Sequence, residues 1–89
     1  MIRSQQFIKR RIGNQNVIVA IGAATKRFNG MISVNGSGSM IWDRLEQEAT
    51  VEDLVALITE SYDIDAETAR ADIHDFLTNL KEVGAVEGY

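Results

Sequence analysis

The sequence contains no cysteine, so neither a disulfide framework nor a thiolate metal site is open to it. Its single histidine, His74, leaves almost no material for a histidine metal site or for histidine-based chemistry. No apolar run approaches the roughly 20 residues of a membrane span. The first residues, Met1-Ile2-Arg3-Ser4-Gln5-Gln6-Phe7-Ile8-Lys9-Arg10-Arg11, lack the apolar segment of a secretory signal. A cytoplasmic protein is the expectation. No phosphate loop of the Gly-x-x-x-x-Gly-Lys type occurs. Asp63 with Asp65, and Asp72 with Asp75, are the nearest thing to paired carboxylates, but they fall on a helix cap and a helix surface, where acids are routine. The reading is of a non-enzyme with no cofactor and no metal.

Acids are also missing from the first thirty residues. That stretch carries Arg3, Lys9, Arg10, Arg11, Lys26 and Arg27, whereas residues 31–89 carry thirteen acids against Arg44, Arg70 and Lys81. The net charge of −4 hides this polarity. It points to an electrostatic partner or to self-association, or simply to a basic sheet beside acidic helices, each solvated. At 89 residues, with 45% hydrophobic and 25% charged residues, the chain has the make-up of one small globular domain.

Three β-prone pieces come first. Phe7 to Ile12 alternates imperfectly, Gly13-Asn14-Gln15-Asn16 suits a hairpin turn, and residues 16–23 are rich in β-branched side chains. Asn29-Gly30 suits a turn with positive φ, and a third strand is expected over 31–35. Short turns between the three predict an antiparallel meander. Three helices follow, marked by their caps. Asn35 or Ser37 opens one over about 37–47, with Ile41 and Leu45 on one face and Trp42 beside them. Thr50 opens the second, over about 51–62, with Ala49 and Leu54 placed for a hydrophobic staple and Leu54, Leu57, Ile58 and Ser61 facing inward. Asp65 opens the third, over about 66–83, whose stripe Ala66, Ala69, Ile73, Phe76, Leu80 and Val83 faces the core until Gly84 stops it. The last five residues read as a short strand or a tail.

The segment Val34-Asn35, Ile41-Trp42, Leu45, Thr50-Val51-Glu52-Asp53-Leu54, Tyr62-Asp63-Ile64-Asp65, Asp72-Ile73, Phe76-Leu77, Leu80 and Gly84 resembles the PqqD family, named for pyrroloquinoline quinone biosynthesis and overlapping the peptide-recognition elements of ribosomal peptide modification systems. The resemblance covers about Met31 to Val86. Two features depart from it: Val34 stands where the family usually has Leu, and Gly36-Ser37-Gly38-Ser39 where members often carry Thr, Ala or Glu. The resemblance implies an α+β, winged helix-turn-helix-like fold, a three-stranded antiparallel sheet followed by three helices, as one peptide-recognition domain over residues 1–89. It implies binding of the leader segment of a precursor peptide, a peptide-chaperone role in natural product or quinone cofactor biosynthesis. The leader would add as a strand to the third strand and rest on the third helix, for a modifying enzyme such as a radical SAM protein or a peptidase.

The residues suit such binding. Met31, Ile32, Ser33 and Val34 make a short edge with backbone groups to offer. On the third helix Arg70, His74, Leu77 and Lys81 stack at 4-3-4 spacing beside Ile73, a candidate wall for a leader with apolar anchors and acids. Each has an alternative reading: Leu77 and Trp42 as core, His74, Arg70 and Lys81 as solvated surface. Two other functions compete, a generic protein adaptor and a winged-helix DNA-binding regulator. Against the latter, the third helix carries Glu67, Asp72, Asp75 and Glu82, where phosphate contacts need a basic face. Neither nucleic acid nor membrane is expected as a partner, while an edge-paired or domain-swapped dimer is open to an unpaired strand.

Overall fold

The computed structural model describes all residues, Met1–Tyr89. The elements run β1 (Ile2–Arg3), β2 (Phe7–Ile12), β3 (Gln15–Ala20), a 3-10 turn (Gly22–Lys26), β4 (Met31–Val34), α1 (Gly36–Arg44), α2 (Val51–Ser61), α3 (Ala66–Val83) and β5 (Val86–Glu87). β2, β3 and β4 form an antiparallel meander in that order, and the three helices follow it, an α+β architecture.

The hairpin is tighter than the sequence suggests. Ile12 pairs with Gln15, leaving Gly13-Asn14 as a two-residue loop. Gly13 has φ +60° and Asn14 does not share the positive φ, the pattern of a type II′ turn with glycine in its first central position. β3 stops at Ala20, three residues short of the expected end, because the chain turns at Gly22 (φ +60°) into the 3-10 turn. The register puts Phe7, Lys9, Ile18, Ile32 and Val34 on one face of the sheet. The helices cover that face: Phe7 and Ile18 are buried in the main core with Ile32 and Val34 packed against it, and Lys9 reaches across to Ser39 (2.6 Å) and Asp43 (2.8 and 2.9 Å) of α1.

Each helix begins where a side chain satisfies its open N–H groups. The Asn35 Oδ1 accepts from the Gly38 N–H at 2.8 Å, so α1 starts at Gly36 directly after β4, with no loop between them. α1 ends at Arg44, earlier than the sequence suggests. Thr50 and Asp53 form a reciprocal capping box at the start of α2, and Ala49 and Leu54 both lie in the core as a staple would place them. Ser61, expected inward, is exposed and caps nothing; its hydroxyl donates to the Leu57 carbonyl within its own helix. Asp65 caps α3 through the Thr68 N–H at 2.7 Å, and Gly84 ends it in the left-handed conformation (φ +81°).

The core gathers around Trp42, Leu45, Leu54, Ile73, Leu77 and Leu80. Trp42 is 1% exposed and so is core; the Arg3 guanidinium lies 5.4 Å from its ring centre and donates to its backbone carbonyl at 3.0 Å. The two ends of the chain meet, since β1 pairs antiparallel with β5 and the Ser4 N–H donates to the Ala85 carbonyl at 2.9 Å. No helix is long and apolar enough to cross a membrane.

Candidate functional site

The meander has two outer edges, and they differ in charge. β2 carries Lys9, Arg10 and Arg11, and charge on an edge strand discourages pairing. β4 reads Met31-Ile32-Ser33-Val34, without a charge or a proline, and pairs on one side only, with β3. Strand backbones alternate, so about half of its N–H and C=O groups point away from β3. Met31 (58% exposed) and Ser33 lie on the solvent face; Ile32 and Val34 are half-buried against the core.

Beside the end of this strand opens a groove of about 1030 Å³. Ser33, Val34 and Asn35 form its strand side, and the first turns of α1 continue that side. Its opposite wall is α3, through Ala69, Asp72, Ile73 and Phe76; Tyr62, Asp63 and Ile64, between α2 and α3, close one end. Two glycines let these elements approach. A Cβ on Gly38 would stand 3.2 Å from Asn35 Oδ1, 3.4 Å from Val34 Cβ and 3.5 Å from the Phe76 ring. At Gly36 it would meet the Tyr62 hydroxyl at 3.0 Å. The glycines that make the helix start look weak in the sequence are what brings the strand end, the helix start and α3 to one place.

The sequence-predicted residues divide between two sides of α3. Met31, Ile32, Ser33 and Val34 form the free edge, and Ile73 lines the groove floor at 1% exposure. The other four do not face it. Leu77 is fully buried (0%), so its place is the core and not a peptide wall. Arg70 turns to α2, where its Nε and Nη2 donate to the Glu52 carboxylate at 3.0 and 2.8 Å. His74 bonds the Tyr89 hydroxyl through Nδ1, and the Lys81 ammonium lies 5.9 Å from the Tyr89 ring centre. The reason is geometric. The buried centre line of α3 is Ala69, Ile73, Leu77 and Leu80. Arg70, His74 and Lys81 fall on the flank beyond Leu77, while Asp72 and Phe76 fall on the opposite flank, toward β4. The 4-3-4 stack is real, but it belongs to the α2 and chain-end side. Phe76, which the sequence placed in the core stripe, is only half-buried and is the apolar residue α3 offers to the groove. The 3-4 spacing of Ala69, Ile73 and Phe76 reads as core stripe and does not by itself mark Phe76 as groove-facing; the only hint lies outside α3, in the small residues after the strand, Gly36 and Gly38.

Electrostatically the groove has one sign. Asp63 and Asp72 are among its lining residues, and no Lys, Arg or His is. None of the groups with a resolved pKa shift lines the groove. Hydrogen bonds from the Thr68 backbone N–H and side chain hold the Asp65 carboxyl below the usual carboxylate range. The Thr50 backbone N–H does the same for Asp53, and the Arg70 guanidinium for Glu52, with the Arg70 value raised in return. No group of three or more His, Asp and Glu gathers in a way that could hold a metal ion.

An uncharged strand edge running into a groove against a helix leaves backbone groups and apolar side chains open to another chain. Residues 15–86 match the family model described as coenzyme PQQ synthesis protein D (PqqD), and the chain belongs to that family. Among solved structures it is similar to TbiB1 in complex with the TbiA(beta) leader peptide, at 27% identity and a TM-score of 0.79, covering 100% of this chain and 98% of that chain. It also shares the fold of lasso peptide synthetase B1 complexed with the leader peptide, at 20% identity and a TM-score of 0.72, covering 93% of this chain and 92% of that chain. No curated protein matches the chain.

Proposed function

We propose that this protein binds the leader segment of a ribosomally made precursor peptide and presents it to a separate modifying enzyme, such as a radical SAM protein or a leader peptidase. The observation that carries the reading is the free, uncharged edge of β4 opening directly into the groove walled by Phe76 and Ile73. The leader adds as a fourth strand along Met31–Val34, exchanging backbone hydrogen bonds, and sets apolar side chains against Phe76, Ile73 and Val34. Membership of the PqqD family and the likeness to TbiB1, whose structure holds a leader peptide, support this. The role is that of a cytoplasmic, non-catalytic peptide chaperone in natural product or quinone cofactor biosynthesis. The outer surface of α3, with Glu67, Asp72, Asp75 and Glu82 exposed, speaks against a phosphate backbone as the ligand. Without a leader, the same edge is available to a second copy as an edge-paired or swapped dimer.

The test is chemical-shift mapping of the labelled protein against a synthetic leader segment of its cognate precursor peptide. The expected result is saturable shifts confined to β4, the first turn of α1 and the Ala69–Phe76 stretch of α3. Shifts that leave β4 and this stretch unmoved would overturn the reading.

A further inference from the structure

The charge on the groove's lining is opposite in sign to that of Arg70 and Lys81, the cations that stand out on α3 in the sequence. Those cations are turned away and engaged, Arg70 by Glu52 and Lys81 by the Tyr89 ring, and His74 beside them bonds the Tyr89 hydroxyl. What remains on the groove side is carboxylate. Asp63 and Asp72 line it beside eight hydrophobic residues, and neither takes part in any of the four ion pairs, which join Met1 to Glu48, Lys9 to Asp43, Arg44 to Asp53 and Arg70 to Glu52.

An acid near a helix start has an ordinary use, favouring the positive end of the helix dipole. Asp65 and Glu67 already fill that place for α3, the first as its cap. Asp72 lies beyond the first turn, within the span of groove wall between Ala69 and Phe76, where the dipole gives it nothing to do. A carboxylate beside apolar side chains and an open strand edge, unpaired within its own chain, is placed to meet a charge brought by the ligand.

We propose that the groove selects peptides that carry a lysine or arginine close to an apolar anchor, with Asp72 and Asp63 receiving the cation while Phe76 and Ile73 take the anchor. This rests on reading the groove as the leader site. The long aliphatic stem of Lys or Arg covers apolar surface while its head reaches the carboxylates, so one side chain satisfies both characters of the groove. Affinity still comes mainly from the strand edge and the apolar anchor; the acids set which peptides are preferred.

The experiment is a selection of random twelve-residue peptides from an mRNA-display library against the full chain, repeated on the Asp63→Asn/Asp72→Asn variant. Both side chains are exposed and bonded to nothing else in the chain, so the variant keeps its fold. Enriched peptides are expected to carry Lys or Arg at a fixed distance from an apolar residue. Replacing that cation by Gln should weaken binding about two- to fivefold on the natural protein, as for an exposed ion pair, and leave it unchanged on the variant. Enriched peptides that lack a cation, that favour acids, or that show the same Gln penalty on both proteins would overturn the charge preference alone. If no peptide is enriched, or if Phe76→Ala fails to weaken those that are, the groove reading itself falls and the preference with it.

Discussion

Leu77 and Phe76 are neighbours in sequence, and the structure assigns them opposite duties. Leu77 is fully buried among the residues that join α3 to the rest of the core. Truncating it to Ala removes its buried methyl groups and leaves a cavity that the packed core fills only in part, a loss of about 2–5 kcal/mol. A chain of 89 residues has a total stability of roughly 5–13 kcal/mol at typical per-residue values. The change therefore removes a large share of it. In urea, at a slope of about 1.5 kcal/mol per molar, a loss of 3 kcal/mol moves the midpoint down by about 2 M. Phe76 is half-buried, so Phe76→Ala surrenders only part of its transfer free energy, about 1–2 kcal/mol of stability. Its ring faces the groove, and losing that surface should cost tenfold or more in leader affinity, about 1.4 kcal/mol or more. Urea unfolding followed by circular dichroism, paired with calorimetric titration of a leader peptide, measures both quantities on both variants. The reasoning is refuted if Leu77→Ala unfolds at the natural midpoint while losing its peptide, or if Phe76→Ala binds normally while unfolding early.

Three further outcomes follow from the same geometry. Asn35→Ala removes the cap that ties α1 to the end of β4; it should cost about 1 kcal/mol, lowering the melting temperature by roughly 4–8 °C, whereas Asn35→Ser should keep most of the cap. Asp65, Asp53 and Glu52 all titrate lower in the folded chain than in the unfolded one, so the unfolded state binds protons first as the pH falls. Stability should hold above about pH 5 and decline below it, and Asp65→Asn, which keeps a cap but cannot titrate, should flatten that acid limb in thermal melts taken across pH. Arg70→Ala breaks only the contact with Glu52 on the far flank of α3, so leader affinity should stay within about twofold of the natural value; a tenfold loss would put the peptide on the wrong side of the helix in this account.

The order of elements could be read from the sequence because its signals are local. Asn35, Thr50 and Asp65 each reach the backbone N–H three residues on, and Gly84 ends α3 by its own conformation. The alternation of β-branched residues and the tight turns carry the meander in the same way. What depends on distant partners could not be read. β1, two residues long, has no pattern of its own, and only its pairing with β5 decides between the short strand and the tail that the last five residues both allow. The stripe on α3 was visible, but a stripe has two flanks. Which flank meets β4 is decided by how α3 rolls against α2, and no spacing within α3 records that. Arg70, His74 and Lys81 stand out in the sequence, but the structure sets them on the flank of α3 away from β4, and Asp72 and Phe76 on the flank toward it. Gly36 and Gly38 were the missed clue, small residues at the one place where three elements converge.

The central claim is that a leader becomes the fourth strand of the sheet along β4. It is tested most directly by methylating the backbone nitrogens of a bound leader peptide one residue at a time and measuring each affinity by calorimetry. A strand uses alternate N–H groups on its paired side. A loss of tenfold or more is expected at every second residue over the segment opposite Met31–Val34, with little change between them. A flat profile, with every position tolerated, would contradict strand addition and leave the groove to side-chain contacts alone.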